Sequence, residues 1–295
     1  MTLAVQQITD TDLPPRVQEA QAEATQRLQQ EGVTHARLDV RLLLAAAMQV
    51  TPETVLMQPD RLLTVEQQQV FARYVARRTN HEPVSRILGL REFWSMAFEI
   101  SPDVLDPRPD SETLVEAAVA FGKGSNATNI LDLGTGSGCL LLATLSELPK
   151  ARGTGVDISM QALAVAERNA MRHGLKRRVR LAYDDWGKGL DGTFDLILSN
   201  PPYIATDTIP SLAPDVAQFD PRRALDGGAD GLACYHALLP VVKARLAPKG
   251  RAFIELGAGQ AQDVAQLAVQ QEGLHVVEIR QDLAAVERCI ILQHG

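Results

Sequence analysis

The sequence predicts an α/β fold with a mainly parallel sheet, an antiparallel C-terminal hairpin and a small helical domain in front. Three observations carry this. From residue 129 onward, apolar runs of strand length alternate with longer runs of helical spacing, the signature of parallel strands joined by crossover helices. The first run opens into the glycine-rich segment 132–138, a strand-to-helix turn. The last two runs, 275–280 and 287–292, have no helix between them, so they close the sheet as an antiparallel edge hairpin.

The elements follow in order. Residues 13 to about 80 read as about four helices, within a domain spanning 1–84. Pro14 and Pro15 suit a first helical turn, where a missing N–H costs little. Leu28, Leu38, Leu42, Leu43 and Val50 recur at helical spacing. Thr51-Pro52-Glu53 and Pro59-Asp60 mark helix starts or turns, and 65–77 is another amphipathic stretch. Gln6, Gln7, Gln18, Gln21, Gln26, Gln29 and Gln30 read as solvent surface. At residue 85 the period drops to two. Trp94, Met96, Phe98 and Ile100 alternate, and with Ile87 and Leu88 they predict a hairpin and linker over 85–110. Ser111-Glu112 then start a helix over 113–121 and the α/β domain, 111–295. Within it, strands are expected at 129–133, 151–156, 179–182, 195–199 and 251–255, before the terminal pair. Helices are expected at 139–148, 160–173, 231–246 and 260–271.

Composition excludes several classes. A chain of 295 residues that is 45% hydrophobic and 22% charged is neither disordered nor low-complexity. No run approaches the ~18 uncharged apolar residues of a membrane span. The opening MTLAVQQITD has no basic start and no long apolar core, so no secretory signal is expected and the cytoplasm is the expected location. Cys139, Cys234 and Cys289 are far apart, and the six histidines form no H-E-x-x-H, so neither a disulfide frame nor a metal site is expected. A net charge of −7 is not the footprint of a general nucleic-acid binder. The cluster Lys176, Arg177, Arg178 and Arg180 reads as a solvated loop or as a contact with a phosphate-bearing or acidic partner.

Two segments carry chemistry. Gly134, Gly136 and Gly138 permit a tight turn and close backbone approach to a ligand. Their spacing is G-x-G-x-G, not the dinucleotide G-x-G-x-x-G. Asp157, at the end of the second strand, is placed to accept from both ribose hydroxyls of an adenosine. Ser159 is the better candidate to cap the next helix. Trp186, after the third strand, could lie against a flat base or fill the rim of the core. These features imply an adenosine cofactor, either S-adenosylmethionine or a nicotinamide dinucleotide. The fourth strand runs into Asn200-Pro201-Pro202-Tyr203. Two prolines set successive φ angles and remove two N–H donors. The loop therefore presents acceptors, the Asn200 side-chain oxygen and the Pro201 carbonyl, beside an aromatic wall.

This arrangement resembles the class I S-adenosylmethionine-dependent methyltransferases that carry (D/N)-P-P-(Y/F). Among them the chain is most similar to the HemK/PrmC family, which methylates the glutamine side-chain amide (the GGQ glutamine) of class-1 peptide chain release factors. The resemblance runs through the N-terminal helices, REFWS at 91–95, PRPDSE at 107–112, DLGTGSG at 132–138, Asp185-Trp186, NPPY at 200–203, DPRRALDGG at 220–228 and DLAAVER at 282–288. NPPY alone is shared with adenine methyltransferases; its combination with REFWS and ALDGG is far more specific. Asp106 and Ser111 depart from the Ile and Thr usual in the family.

The resemblance implies S-adenosyl-L-methionine as cofactor and a class-1 release factor as protein partner, with no metal, no membrane and no direct nucleic-acid binding. It implies that Gly134, Thr135, Gly136, Ser137 and Gly138 wrap the cofactor, that Asp157 holds its ribose and that Trp186 borders its adenine. Asn200 would touch cofactor and substrate. Asn200, Pro201, Pro202 and Tyr203 would bind the substrate amide, with Asn200, Pro201 and Tyr203 serving catalysis. Arg108 and Pro109 would line the entrance, and the N-terminal domain would dock the protein substrate. A ribosomal-protein glutamine methyltransferase and an adenine-N6 nucleic-acid methyltransferase are the alternatives.

Overall fold

The computed structural model describes residues 16–295, so Pro14, Pro15, Gln6 and Gln7 lie outside the described residues. The chain divides into two compact units at Gly89.

The first unit is helical: α1 (Val17–Gln30), α2 (Ala36–Met48), α3 (Pro52–Met57), α4 (Val65–Thr79) and α5 (Val84–Leu88). Helix α1 buries Val17, Ala20, Ala24 and Leu28, which fall on one face at spacings of three and four. They share a core with Val40, Leu43 and Leu44 of α2 and Phe71 and Val75 of α4. Thr51 caps α3, and Thr64 with Gln67 forms a reciprocal capping box at the start of α4. Gln18, Gln26, Gln29 and Gln30 are exposed, and so is Leu38, despite its spacing. Ile87 and Leu88 belong to α5 and not to a hairpin. Pro83 precedes this short helix, and Gly89, at φ 70°, ends it in the left-handed region.

The second unit opens with the hairpin β1 (Leu90–Phe93) and β2 (Met96–Glu99). Trp94 and Ser95 turn it, both at positive φ, as a two-residue hairpin loop requires. Then come α6 (Glu112–Ser125), β3 (Asn129–Leu133), α7 (Cys139–Glu147), β4 (Arg152–Asp157), α8 (Met160–Arg172), β5 (Val179–Tyr183) and β6 (Phe194–Ser199). A further short helix, α9 (Pro214–Phe219), precedes α10 (Ala233–Arg245), β7 (Leu246–Glu255), α11 (Ala261–Gln270), β8 (Leu274–Gln281) and β9 (Glu287–His294).

The sheet order is β5-β4-β3-β6-β7-β9-β8. Strands β3 to β7 pair in parallel; β9 is antiparallel to both β7 and β8. The expected terminal hairpin is present, with β8 at the edge and β9 inside. One apolar cluster packs Leu114, Val115, Leu141 and Leu145 of α6 and α7 with Ile130, Leu196 and Leu198 of the sheet. A second packs Tyr235, Leu238 and Leu239 of α10 and Val264 of α11 with Leu131, Ile197 and Ile254. Side chains alternate between faces along each strand, so helices cover both sides.

Strand order reverses between β3 and β6, where β3 has β4 on one side and β6 on the other. At that junction the buried Ser199 Oγ donates to the Leu133 carbonyl at 2.8 Å, tying the two strand ends together. The β1–β2 hairpin is fastened by Asn169 of α8, fully buried. Its Oδ1 accepts from Glu99 N at 2.7 Å, and its Nδ2 donates to the carbonyls of Glu99 and Ser137 at 2.9 Å each.

Asn169→Ala should cost roughly 2–4 kcal/mol, because it leaves one buried N–H and two carbonyls without their partner. Asn169→Asp should do no better, since a carboxylate would face the same two carbonyls. Urea unfolding monitored by circular dichroism checks this; a loss below about 0.5 kcal/mol for both variants would show that the clasp is dispensable.

Candidate active site

A cavity of about 170 Å³ lies at the carboxyl ends of β3, β4, β5 and β6, the crevice where open α/β sheets bind ligands. Its lining includes Gly134, Thr135, Gly136, Ser137, Asp157, Trp186, Asn200 and Pro202. Residues from four strand ends, expected separately from the sequence, thus meet around one space.

The glycine loop is held from below. Gly134 N and Thr135 N donate to the Val156 carbonyl at 3.0 and 2.9 Å, and Thr135 Oγ1 donates to Asp132 Oδ2 at 2.6 Å. Gly134 and Gly136 sit at φ 74° and 53°. A Cβ on Gly136 would meet nothing within 4 Å, and one on Gly134 only the Trp186 ring at 3.7 Å. The space beside the loop is therefore free, while the backbone conformation disfavours any side chain. Gly138 acts differently. It does not line the cavity, and a Cβ there would press on Ala166 and Leu142 at 3.3 Å, so it serves helix packing.

Asp157 bridges the glycine loop and the next helix. Its Oδ2 accepts from Gly136 N at 2.9 Å and its Oδ1 from Ser159 N at 2.8 Å. Ser159 Oγ caps α8 by accepting from Ala162 N at 3.2 Å, as the sequence suggested. Burial raises the Asp157 carboxyl above the usual carboxylate range, partly offset by these backbone N–H donors. Asp132 is fully buried, and the lost hydration pushes its carboxyl up to about 7 against the donation from Thr135. Asp132 Oδ1 and Asp184 Oδ1 are buried with no hydrogen-bond partner among the described residues. Of the two, Asp184 lines the cavity and Asp132 lies beneath the glycine loop; an orphaned acceptor beside an open glycine cradle fits a bound molecule that carries a cationic amine and ribose hydroxyls.

The Asn-Pro-Pro-Tyr loop closes the other side. Asn200 Nδ2 donates to Ser111 Oγ at 3.2 Å. Pro201 is buried and Tyr203 half-buried; neither is among the cavity-lining residues. Tyr203 Oη donates to Glu255 at 3.2 Å, and its carbonyl accepts from Gln260 Nε2 at 3.0 Å. Behind the loop, Ile204 exchanges backbone hydrogen bonds with Leu225 and Gly227. A Cβ on Gly227 would come within 2.8 Å of Tyr203 Cα, so the ALDGG segment needs glycine there in order to back the loop closely.

A strap over residues 103–107 covers the cavity, with Asp103, Val104, Leu105 and Pro107 in its lining. Its anchor is Asp220, which accepts from Asp106 N at 3.3 Å and pairs with the Arg108 guanidinium. Arg108 therefore holds the strap and does not line the cavity, and Pro109 starts a short 3₁₀ turn. Asp106 is buried and its carboxylate lies 3.6 Å from Arg91 Nε, which explains how a charged residue is accommodated there. The basic cluster resolves into separate roles. Arg178 donates to the carbonyls of Leu145, Leu148 and Ala151, while Lys176 pairs with Glu167. Arg177, Arg178 and Arg180 also line a cleft of about 280 Å³ with Arg152, at the amino ends of the strands. Among the described residues no cluster of His, Cys, Asp or Glu could hold a metal, and no helix is long and apolar enough to cross a membrane.

Asp132, Asp220 and Glu255 were not singled out in the sequence as site residues. Asp132 was visible only as the first letter of the glycine motif.

The parallel sheet, its antiparallel closing strands and the cavity at the strand reversal define a methyltransferase of Rossmann-like architecture. Residues 108–216 match the methyltransferase small domain model, and residues 19–89 match the PrmC N-terminal domain model. A release factor glutamine methyltransferase of Rhodospirillum rubrum is 51% identical over 265 residues, covering 90% of this chain and 81% of that relative. The chain belongs to the release factor glutamine methyltransferase family. Two solved structures share the fold at low identity. The hMettl16 catalytic domain in complex with an RNA hairpin has a TM-score of 0.57 and 15% identity, over 71% of this chain and 81% of that one. The T. thermophilus 16S rRNA methyltransferase RsmC in complex with AdoMet and guanosine has a TM-score of 0.50 and 20% identity, over 70% of this chain and 49% of that one.

The Asp132 environment gives a signed pH dependence. A carboxyl whose folded pKa is raised from 3.8 to about 7 keeps a proton that the unfolded chain has released. Its contribution to stability is therefore lost as pH rises from about 4 through 7. Asp132→Asn removes this titration. Relative to wild type, the ligand-free variant should gain stability across that window, with a slope of at most about 1.4 kcal/mol per pH unit. Thermal melts at a series of pH values check this, and a variant-minus-wild-type difference that stays flat would refute it.

Proposed function

We propose that this chain transfers a methyl group from S-adenosylmethionine to the side-chain amide nitrogen of a glutamine in a class-1 peptide chain release factor. The observation that carries the reading is one cavity shared by the open glycine loop, Asp157, Trp186 and Asn200. Bound there, the cofactor supplies a sulfonium methyl, already a strong electrophile. Gly134, Thr135, Gly136 and Ser137 would hold it by backbone approach, Asp157 would accept from its ribose hydroxyls, Trp186 would border its adenine and Asp184 would offer an orphaned acceptor.

The protein's task at the substrate is to position a weak nucleophile. An amide lone pair is delocalised into its carbonyl. If the two amide N–H groups donate to Asn200 Oδ1 and the Pro201 carbonyl, the nitrogen is oriented and its electron density rises. The proton leaves after the nitrogen is methylated, so no strong base is needed at Asn200. Pro202 and Tyr203 shape the loop around the substrate; Arg108 acts at the entrance by holding the strap, and Pro109 starts the turn that follows it. The helical unit docks the protein substrate. Cytoplasmic residence follows from a release factor as substrate, and no direct nucleic-acid binding is required.

Radiolabelled cofactor should label a release factor and leave a ribosomal-protein extract and adenine-containing DNA unlabelled. Asn200→Ala should cut kcat on the release factor by ~10²–10³, the scale of losing one preorganised hydrogen-bonding group, while cofactor affinity falls less. Asn200→Asp should fall between. Single-turnover rates at saturating cofactor, with melts alongside, test this; equal rates for wild type and Asn200→Ala would rule the assignment out.

A chain lacking residues 1–89 should retain a cooperative melt and bind S-adenosylhomocysteine, yet lose kcat/KM on an intact release factor by at least about tenfold, one RT ln 10 of docking energy. Unchanged kcat/KM would remove the docking role.

A further inference from the structure

Glu255 ends β7, is 1% exposed and is surrounded by polar groups from several elements. Its Oε2 accepts from Ser111 Oγ at 2.5 Å, and its Oε1 accepts from Tyr203 Oη at 3.2 Å. Ser111 Oγ in turn accepts from Asn200 Nδ2 at 3.2 Å. A single buried carboxylate is thus connected to both ends of the Asn-Pro-Pro-Tyr loop.

Proton counting gives this connection a direction. A serine hydroxyl has one hydrogen and two lone pairs. Ser111 gives its hydrogen to Glu255, so it can only accept from Asn200. The Asn200 amide nitrogen must then face Ser111. Were the carboxamide flipped, Asn200 Oδ1 would face a hydroxyl whose hydrogen is already committed, placing two acceptors together in a dry setting. The carboxamide oxygen is therefore turned away from Ser111, and it has no hydrogen-bond partner among the described residues.

We propose that Glu255 is the positioning residue of this site: as a carboxylate, it sets the Asn200 carboxamide, through Ser111, with its oxygen free for the substrate amide, and it holds Tyr203 in place at the same time. This rests on the reading of Asn200 as the acceptor for that amide.

The charge state of Glu255 then matters. Burial pushes its carboxyl up to about 7 against the donation from Ser111 and Tyr203. The groups around it are Asp110 beside Ser111, which raises it, and Arg288 of β9, which lowers it and is itself paired to Asp110 and Asp282. The Tyr203 and Tyr235 hydroxyls and the Cys139 and Cys289 thiols face it too, and burial raises all four above their usual range, so they stay neutral. A protonated Glu255 can donate to Ser111, which frees the serine hydrogen to turn toward Asn200 and permits the unproductive flip. Single-turnover kcat at saturating cofactor should therefore rise with pH through about 7, and this step should vanish when residue 255 cannot titrate.

The test compares Glu255→Leu, Glu255→Gln and Ser111→Ala in the full chain, with Asn200→Ala as the reference. Leu removes the acceptor and should lower kcat by about 10²-fold, the loss expected when one preorganised group goes. Gln still offers Ser111 an acceptor but does not titrate. It should recover most of the kcat lost in Leu and abolish the pH step. Ser111→Ala should fall with Leu, and the chain carrying both Glu255→Leu and Ser111→Ala should be no slower than the worse single, since both break one connection. S-adenosylhomocysteine affinity should change less than about threefold in all of them. If Asn200→Ala is slow but Ser111→Ala and Glu255→Gln keep both the wild-type rate and the wild-type pH step, the positioning role of Glu255 is overturned and Asn200 stands. If Asn200→Ala is itself as fast as wild type, the reading of Asn200 fails instead. Should Glu255→Leu not fold, Glu255→Gln and Ser111→Ala decide alone.

Discussion

The hydrogen bond from Ser199 Oγ to the Leu133 carbonyl joins the ends of β3 and β6 at the point where strand order reverses. Parallel strands on either side of that point send their following chain in opposite directions, which opens a crevice between them. The glycine loop leaves from one lip and the Asn-Pro-Pro-Tyr loop from the other. Their separation is set by one strand spacing, roughly 4.7–4.9 Å, and by the β3–β6 register, which pairs Leu133 with Ser199. A cofactor held by the first loop is therefore delivered to the second without any domain movement being required by the sheet itself.

Around that fixed pair the unit spends its buried polar groups on loops. Asp157 ties the glycine loop to α8, Asp220 ties the strap to the segment behind the Asn-Pro-Pro-Tyr loop, and Glu255 ties Ser111 to Tyr203. Each of these carboxylates joins segments that the sheet alone would leave loose. Catalysis by positioning needs reacting groups held within a few tenths of an ångström, and loops achieve this only when their polar atoms are committed.

Much of this was legible in the sequence. Alternating periods located the strands of the sheet, because buried parallel strands are apolar runs and their crossover helices are amphipathic. The glycine loop, Asp157, Trp186 and Asn200 were legible because each lies at the end of a strand or within three residues of it, and strand ends in such a sheet point to one crevice. Glu255 was not, although it too ends a strand. Its partner Ser111 lies 144 positions away, and nothing local distinguishes an acid that turns inward from one that meets solvent. Arg178 was hidden for the opposite reason. Its neighbours are basic and exposed, so it read as surface, yet it serves the carbonyls around the end of α7. Helix α5 was mistaken for strand because five residues are too few to show a helical period.

The place of β9 has a consequence for biosynthesis. It is made after β8, yet it lies between β7 and β8, antiparallel to both. Until β9 has emerged from the ribosome, β8 has no strand to pair with and the open edge of β7 remains a template for other chains. The apolar run Cys289 to Leu292, fully buried once in place, is thus among the last parts of the sheet to be synthesised. Completion of this sheet therefore waits on a strand that is made after both of the neighbours it joins.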